Sequence, residues 1–106
     1  MNLDDLASYG GLGPLKEDIY FVYILKCAND SYFVGCTKDL NDRLNRHNKG
    51  YIKSTKLRLP VQIVHLSVFP DRVKAFQFEK YLKSGSGKAF MNKRFIWHTS
   101  LAEAKF

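Results

Sequence analysis

The chain has 106 residues, which is enough for one domain and too few for a two-domain dinucleotide-binding enzyme or a TIM-type barrel. Apolar residues make up 45% of the chain and aromatic residues 14%, which is typical of a folded protein and excludes a disordered one. Seventeen Lys and Arg against ten Asp and Glu give a net charge of +7, which favours a polyanionic partner, with nucleic acid as the first candidate.

The charge is distributed unevenly along the chain. Residues 1–18 hold one lysine against four acidic residues, a net charge of −3, and the remainder holds 16 basic against 6 acidic residues, a net charge of +10. Three glycines and Pro14 also lie in the acidic segment. We therefore predict a flexible N-terminal extension over 1–18, a folded domain over 19–98 and a short tail over 99–106.

Targeting signals and cysteines bear on the compartment. No apolar run approaches the ~20 residues that cross a bilayer, and the first residues lack the basic start and apolar centre of a secretory signal. Cys27 and Cys36 are too few for a disulfide scaffold, and their spacing fits no zinc site. We expect reduced thiols, a cytoplasmic protein and no membrane partner.

Two apolar segments predict a β-hairpin. Residues 19–27 are almost wholly apolar, β-branched or aromatic, which predicts a central strand covered on both faces. Residues 28–31 are turn formers, and residues 32–37 predict the second strand. Gly35 inside that strand indicates a bulge or a close backbone approach. Residues 61–69 alternate in part between apolar and polar and predict a third strand.

Capping residues mark three helices. Each begins after an Asp or Ser, which can accept hydrogen bonds from first-turn amides, and the first two end at a glycine. The predicted helices are Leu40 to about Asn48 (N-cap Asp39, stop Gly50), 72–84 (N-cap Asp71, stop Gly85) and 87 to about 98 (N-cap Ser86). The element order β-β-α-β-α-α predicts an α+β fold, a three-stranded sheet flanked by helices.

Glu79 is the most unusual polar residue by position. On the second predicted helix it lies within one turn of Ala75, Phe76 and Leu82, which places a carboxylate in an apolar stripe. Such a carboxylate is costly to bury unless a metal ion or a cationic partner offsets it. The alternative is an ion pair with Lys83 on a solvated helix edge, and the pattern alone favours this alternative.

Arg43 and His47 lie one turn apart on the first predicted helix. A guanidinium offers paired donors to phosphate oxygens, and an imidazole titrates near neutral pH. The two residues together could therefore clamp a phosphate and transfer a proton. The alternative is a solvated basic face, because Arg46 lies beside them, and the pair taken alone favours that alternative.

Tyrosines and basic residues together add further candidates. Tyr20, Tyr23 and Tyr32 lie in the hairpin, where aromatic residues usually pack, although a hydroxyl beside cations could serve as a general base. The segment Ser84–Ala89 imitates a phosphate-binding loop but lacks the required glycine and hydroxyl, so a helix stop followed by a helix start is the better interpretation. Candidates for phosphate contact, with simple solvation as the alternative, are Lys53, Lys56, Arg58, Lys88 and Lys93.

Five segments follow one another in an order and spacing that one known family shares. They are Phe21-Val22-Tyr23, Phe33-Val34-Gly35, the run TKDLNDRLNRHN with Arg43 and His47, the run KSTKLRLP, and the run FEKYLKSGSGK with Glu79. Together they resemble the GIY-YIG nucleases, in particular the small stand-alone bacterial members and the N-terminal nuclease domain of the bacterial excision-repair endonuclease. The resemblance covers roughly Tyr20 to Phe95.

The resemblance implies a three-stranded antiparallel sheet and metal-dependent hydrolysis of a phosphodiester by water. Tyr23 would accept a proton from the nucleophile or position it, and Arg43 would stabilise charge on the phosphoryl oxygens. His47 would assist proton transfer or grip the phosphate. Glu79 would hold one Mg²⁺ or Mn²⁺ ion, a role that suits a single carboxylate completed by water and phosphate.

The second motif departs from the family pattern at one position. Phe33 stands where the family has a tyrosine, which removes an active-site hydroxyl. The loss of one catalytic hydrogen bond costs on the order of 10²–10³ in rate. Tyr32 is adjacent, but successive strand residues point to opposite faces, so it does not substitute without a bulge.

These observations support three functional hypotheses in a definite order. The first is a metal-dependent endonuclease that acts on DNA, active in a pathway such as DNA repair, with structure rather than sequence preference. The second is a nucleic-acid-binding module of the same fold with weak or no catalysis. The third is a basic scaffold with no nucleic-acid role. RNA remains the alternative substrate, and the oligomeric state stays open.

Overall fold

Three antiparallel strands form the centre of the computed structural model, which describes residues 19–95. They are β1 (Tyr20–Cys27), β2 (Tyr32–Thr37) and β3 (Val61–Phe69). The order in the sheet is β2-β1-β3, so β1 is the central strand, as its continuous apolar sequence predicts. The predicted extension over 1–18 and tail over 99–106 lie outside the described residues.

Three helices complete the described part of the chain. They are α1 (Leu40–Asn48), α2 (Arg72–Leu82) and α3 (Gly85–Arg94). The order β-β-α-β-α-α and the α+β class are confirmed. No helix within residues 19–95 is long and apolar enough to cross a membrane.

The predicted caps of the first two helices form as the sequence indicates. The Asp39 side chain accepts a hydrogen bond from the backbone N–H of Asp42, and the Asp71 side chain accepts from Val73 and Lys74. Gly50 follows α1 with a φ of 77°, a left-handed conformation that glycine adopts without steric cost.

The prediction was wrong at the junction between α2 and α3. Helix α2 ends at Leu82 rather than at 84, and α3 begins at Gly85 rather than at 87. Ser84, not Ser86, is the N-cap, because its hydroxyl accepts a hydrogen bond from the backbone N–H of Gly87 at 3.1 Å. Helix α3 also ends at Arg94, earlier than predicted.

Helix packing requires the glycine at position 87, which is part of the segment that resembles a phosphate-binding loop. A Cβ at this position would collide with the backbone of Tyr81 and Leu82, so glycine permits α3 to pack closely against the end of α2. The interpretation of this segment as a helix stop and start is therefore confirmed.

The strands divide their side chains between two helical layers. On one face, Val22 and Ile24 pack with Ala75 of α2 and Met91 of α3. On the opposite face, which we call the α1 face, Phe21, Tyr23 and Leu25 of β1 pack with Leu40. The five consecutive residues Phe21–Leu25 are at most 1% exposed, which accounts for the unbroken apolar run.

Candidate active site

The side chain of Tyr23 lies at the centre of the candidate site. Tyr23 is fully buried on the α1 face, and its ring lies across Gly35 of β2. A Cβ at position 35 would collide with the ring and hydroxyl of Tyr23 and with the ring of Phe33. The register between β1 and β2 runs without a shift, so Gly35 provides a close approach and not a bulge.

His47 connects Tyr23 to a second buried hydroxyl. Its Nε2 lies 3.0 Å from Tyr23 Oη, and its Nδ1 lies 2.7 Å from Thr55 Oγ1. Tyr23, His47 and Thr55 are all inaccessible to solvent. His47 therefore does not lie on a solvated helix face, which was the interpretation that the Arg43–His47 pair alone favoured. Because its side chain is buried, it cannot contact a phosphate directly.

The hydrogen bonds around His47 define its tautomer. Thr55 Oγ1 makes no other hydrogen bond within residues 19–95, so its buried O–H has Nδ1 as its acceptor. We therefore assign the imidazole proton to Nε2, which donates to Tyr23 Oη. Burial, and then the charge of Arg43, lower the pKa of His47 and favour the neutral ring.

Arg43 lies one turn before His47 on α1 and is half-buried. Burial raises the pKa of Tyr23 to about 12, and the guanidinium of Arg43 opposes this shift by favouring the phenolate. A buried tyrosine hydroxyl therefore lies beside a fixed positive charge. That combination suits a group that must hold a nucleophile near a phosphate.

Glu79 on α2 brings a carboxylate to the same place. Its negative charge contributes to raised pKa values for both Tyr23 and Cys36, although burial is the larger cause for each. The Glu79 side chain is 21% exposed and forms an ion pair with Lys83, at 3.1 Å between Oε2 and Nζ. The ion pair between Glu79 and Lys83, which the sequence offered as the alternative to a functional Glu79, is therefore formed. The Glu79 side chain is nevertheless mostly buried, so the pair does not lie on a fully solvated helix edge.

Cys36 shares the electrostatic environment of Glu79 and Arg43. Burial raises the pKa of its thiol to about 11, and Glu79 adds to the shift. Neither Cys36 nor Cys27 forms a disulfide, as the sequence predicts.

The donor set at the site fits a magnesium-type ion. Within residues 19–95 there is no group of three or more His, Cys, Asp or Glu that could hold a metal. A structural zinc site would need such a group, whereas Mg²⁺ is bound by one or two carboxylates together with water and substrate phosphate. Glu79 is the carboxylate that would hold the ion, with Lys83 as its partner until the ion arrives.

Phe33 occupies the position of the missing family tyrosine on the site face. Its ring centroid lies 5.1 Å from that of His47 and 6.2 Å from that of Tyr23. Tyr32 packs against the core on the opposite face of the sheet. The expectation that Tyr32 does not supply the missing hydroxyl agrees with this placement.

The candidate phosphate contacts divide into two kinds. Lys53, Lys56, Lys88 and Lys93 are exposed, as a phosphate contact requires. Arg58 instead donates to the carbonyl oxygen of Ser54 through Nε and Nη2, and to Ser31 Oγ through Nη1 at 2.6 Å. These bonds tie the loop after α1 to the β1–β2 turn, so Arg58 has a structural role in the chain.

Two features of the site went undetected in the sequence. Thr55 was only part of a basic loop, and no local signal distinguished it from Ser54. Arg72 and Phe76, discussed below, were assigned no functional role. Thr55 could be found only by matching a buried histidine with a hydroxyl from a nearby loop. That match requires the fold, so the sequence alone does not provide it.

Comparison with known proteins agrees with the fold. The model of the GIY-YIG catalytic domain matches residues 19–94, which include every element described above. The chain therefore belongs to the GIY-YIG family, whose members are nucleases that act on DNA and generally depend on a divalent metal.

Bacterial relatives are among the similar proteins. The UPF0213 proteins of Staphylococcus aureus strains Mu3 and N315 are each 38% identical to the chain over 68 residues, which cover 63% of the chain and 83% of the relative. The solution NMR structure of a UPF0213 protein from Bacillus halodurans is 26% identical, with a TM-score of 0.49. That match covers 83% of this chain and 99% of the other.

Proposed function

We propose that this chain is a divalent-metal-dependent endonuclease that hydrolyses phosphodiester bonds in DNA and selects its substrate by structure rather than sequence. The grouping of three side chains around Tyr23 carries the proposal. His47 is hydrogen-bonded to it, and the charges of Arg43 and Glu79 both act on its pKa. Two helices on opposite faces of the sheet supply these groups.

Each side chain has a separate task in this mechanism. Tyr23 is inaccessible to solvent in the free protein, so it would orient the attacking water only once the bound substrate has opened the site, and His47 holds the phenol oxygen from behind. With a pKa of about 12, Tyr23 is a phenol at neutral pH, so proton acceptance by it increases with pH. Arg43 stabilises the negative charge that develops on the phosphoryl oxygens. A divalent ion on Glu79 would supply charge neutralisation and a lower pKa for bound water.

Thr55 acts as a positioning residue in this mechanism. By donating to Nδ1, it keeps the Nε2 proton of His47 directed at Tyr23. It touches neither water nor phosphate in this arrangement. Its effect on the reaction would pass through His47.

Gel mapping of end-labelled DNA tests the proposal. Duplex, single-stranded, flap and branched DNAs are incubated with the protein and Mg²⁺ or Mn²⁺, with a chelator as control. We expect cleavage only with metal, and at structural junctions more than within duplex. Binding to all these DNAs without cleavage under any metal would contradict the proposal and favour a non-catalytic binding module.

The second candidate, a catalytically weak DNA-binding module, has one specific observation in its favour. Phe33 presents an apolar edge to His47 where the family has a hydroxyl. The other residues assigned to catalysis remain in place, which is why the enzyme stands first.

Phe33→Tyr is expected to increase the cleavage rate by about tenfold or more, because it restores one hydrogen-bonding group on the site face. Single-turnover rates for wild type and variant measure the effect. Tyr32→Phe, which removes a hydroxyl on the opposite face, is the matched control and should leave the rate within about twofold of wild type. A Phe33→Tyr rate equal to wild type would show that the missing hydroxyl does not limit catalysis.

Thr55→Val is expected to lower kcat by about tenfold, because the isosteric methyl group cannot donate to His47 Nδ1 and the ring loses its fixed tautomer. Thr55→Ser keeps the hydroxyl and should recover most of the rate. The pH–rate profile supplies a second readout, since a ring free to change tautomer alters how the rate depends on pH. Equal loss in Val and Ser variants would indicate a packing role instead.

A further inference from the structure

An open cleft of about 420 Å³ lies beside the candidate active site. It is bounded by the start of β1, the end of β2, α1 and the first turns of α2. Its size is that of a small-molecule binding site. The lining residues that matter here are Tyr20, Lys38, Arg43, Arg46, Arg72 and Phe76. Arg43 lines the cleft and is also one of the residues assigned to the reaction centre, so the two sites share this side chain.

The charges in this cleft are only partly neutralised. Asp42 forms an ion pair with Arg46, at 2.9 Å between Oδ2 and Nε. Arg43, Arg72 and Lys38 have no ion pair within residues 19–95. Within the described part of the chain these three cations outnumber the remaining carboxylate of the cleft, that of Asp39, which favours an anionic ligand.

Arg72 stacks over the ring of Phe76 at the α2 side of the cleft, and we call this pair the Arg72–Phe76 platform. The guanidinium carbon of Arg72 lies 5.2 Å from the ring centroid of Phe76, one turn further along α2. Tyr20 supports the ring edge-on, with centroids 6.1 Å apart. Phe76 is nevertheless 42% exposed, so the platform presents a cationic and aromatic surface to the cleft.

We propose that this cleft is a subsite for one unpaired nucleotide next to the phosphate that is cut. Its base stacks on the Arg72–Phe76 platform, and its phosphate lies toward Arg43 and Lys38. Nucleobases stack on aromatic rings and on guanidinium planes, but only where base pairing and neighbouring bases leave a face open. The inference rests on the proposed function and names the substrate feature that it selects, a single-stranded or frayed nucleotide.

Binding measurements in a chelator test this subsite separately from cleavage. Fluorescence anisotropy with labelled single-stranded, flap and fully paired DNA is measured for wild type, Phe76→Leu and Arg72→Lys. Phe76→Leu removes the ring, and Arg72→Lys keeps the charge but loses the planar surface. We expect each variant to weaken binding of single-stranded and flap DNA about fivefold or more, and binding of duplex by less than twofold.

Tyr81→Leu is the matched control. Tyr81 lies on the same helix, is also 42% exposed, and packs near Phe90 outside the cleft. Its replacement should leave all three affinities within about twofold of wild type. Arg72 is exposed, so Arg72→Lys keeps the test valid if Phe76→Leu is poorly folded.

Two results would overturn the subsite. One is unchanged affinity of both variants for single-stranded and flap DNA, and the other is an equal loss on duplex, which would indicate general charge or folding effects. Cleavage is scored independently on the same DNAs with Mg²⁺. Absence of cutting with the binding preference intact would reject the nuclease proposal and leave the subsite standing.

Discussion

Glu79→Gln is expected to lower the rate of metal-dependent DNA cleavage by ~10³-fold or more, because a divalent ion contributes several kcal/mol of charge stabilisation to the transition state. An amide keeps the shape of the side chain and loses the charge that attracts the ion. The substitution leaves the fold intact, since the side chain is partly exposed and its partner Lys83 is at the surface. Single-turnover cleavage under saturating protein measures the loss.

Lys83→Gln is the control for this experiment. It breaks the same ion pair, at 3.1 Å between Lys83 Nζ and Glu79 Oε2, but keeps the carboxylate. Cleavage should survive, and half-maximal activity should require less Mg²⁺, because the ion no longer displaces a lysine. Equal loss in both variants would mean that the ion pair, and not a metal, is what the site needs.

Arg43→Lys is expected to lower the rate by ~10²–10³-fold, because the point charge of an ammonium does not reproduce the two-pronged contact of a guanidinium with phosphoryl oxygens. The change keeps the net charge, so DNA affinity in chelator should fall by less than about tenfold. The loss should therefore appear in kcat more than in KM.

Arg46→Lys is the matched control for Arg43. Arg46 lies on the same helix and forms an ion pair with Asp42, which a lysine can keep. Its cleavage rate should stay within a fewfold of wild type. If the two lysine variants lose activity equally, Arg43 has no special role and the basic face acts only as a charged surface.

The sheet and three of the six helix ends could be predicted because they depend on local signals. The apolar run of β1 has no polar position that a solvent-facing strand would need, and Asp39 and Asp71 are each followed by a helical pattern. The α2–α3 junction could not be predicted in this way, because the side chains of Ser84 and Ser86 are equally able to cap a helix. The close packing of Gly87 on Tyr81 selects between them, and it is a tertiary contact.

The site was only partly accessible to the same reasoning. One-turn spacing on α1 placed Arg43 and His47 together, and the apolar stripe on α2 singled out Glu79. The family resemblance then selected Tyr23 from the hairpin tyrosines. The burial of His47 was not predicted, because it depends on a contact with Thr55, which lies eight residues later in the loop after α1. The Arg72–Phe76 platform was missed for a related reason, since its exposure depends on how α2 lies beside β1.

The most direct test of the central claim is a Mg²⁺ titration of flap-DNA cleavage by the unmodified chain under single-turnover conditions. We expect no product in chelator, a rate that rises with Mg²⁺ to saturation, and a hyperbolic curve consistent with one ion. A flat line at zero product across the whole titration, with the DNA demonstrably bound and Mn²⁺ equally ineffective, would contradict it.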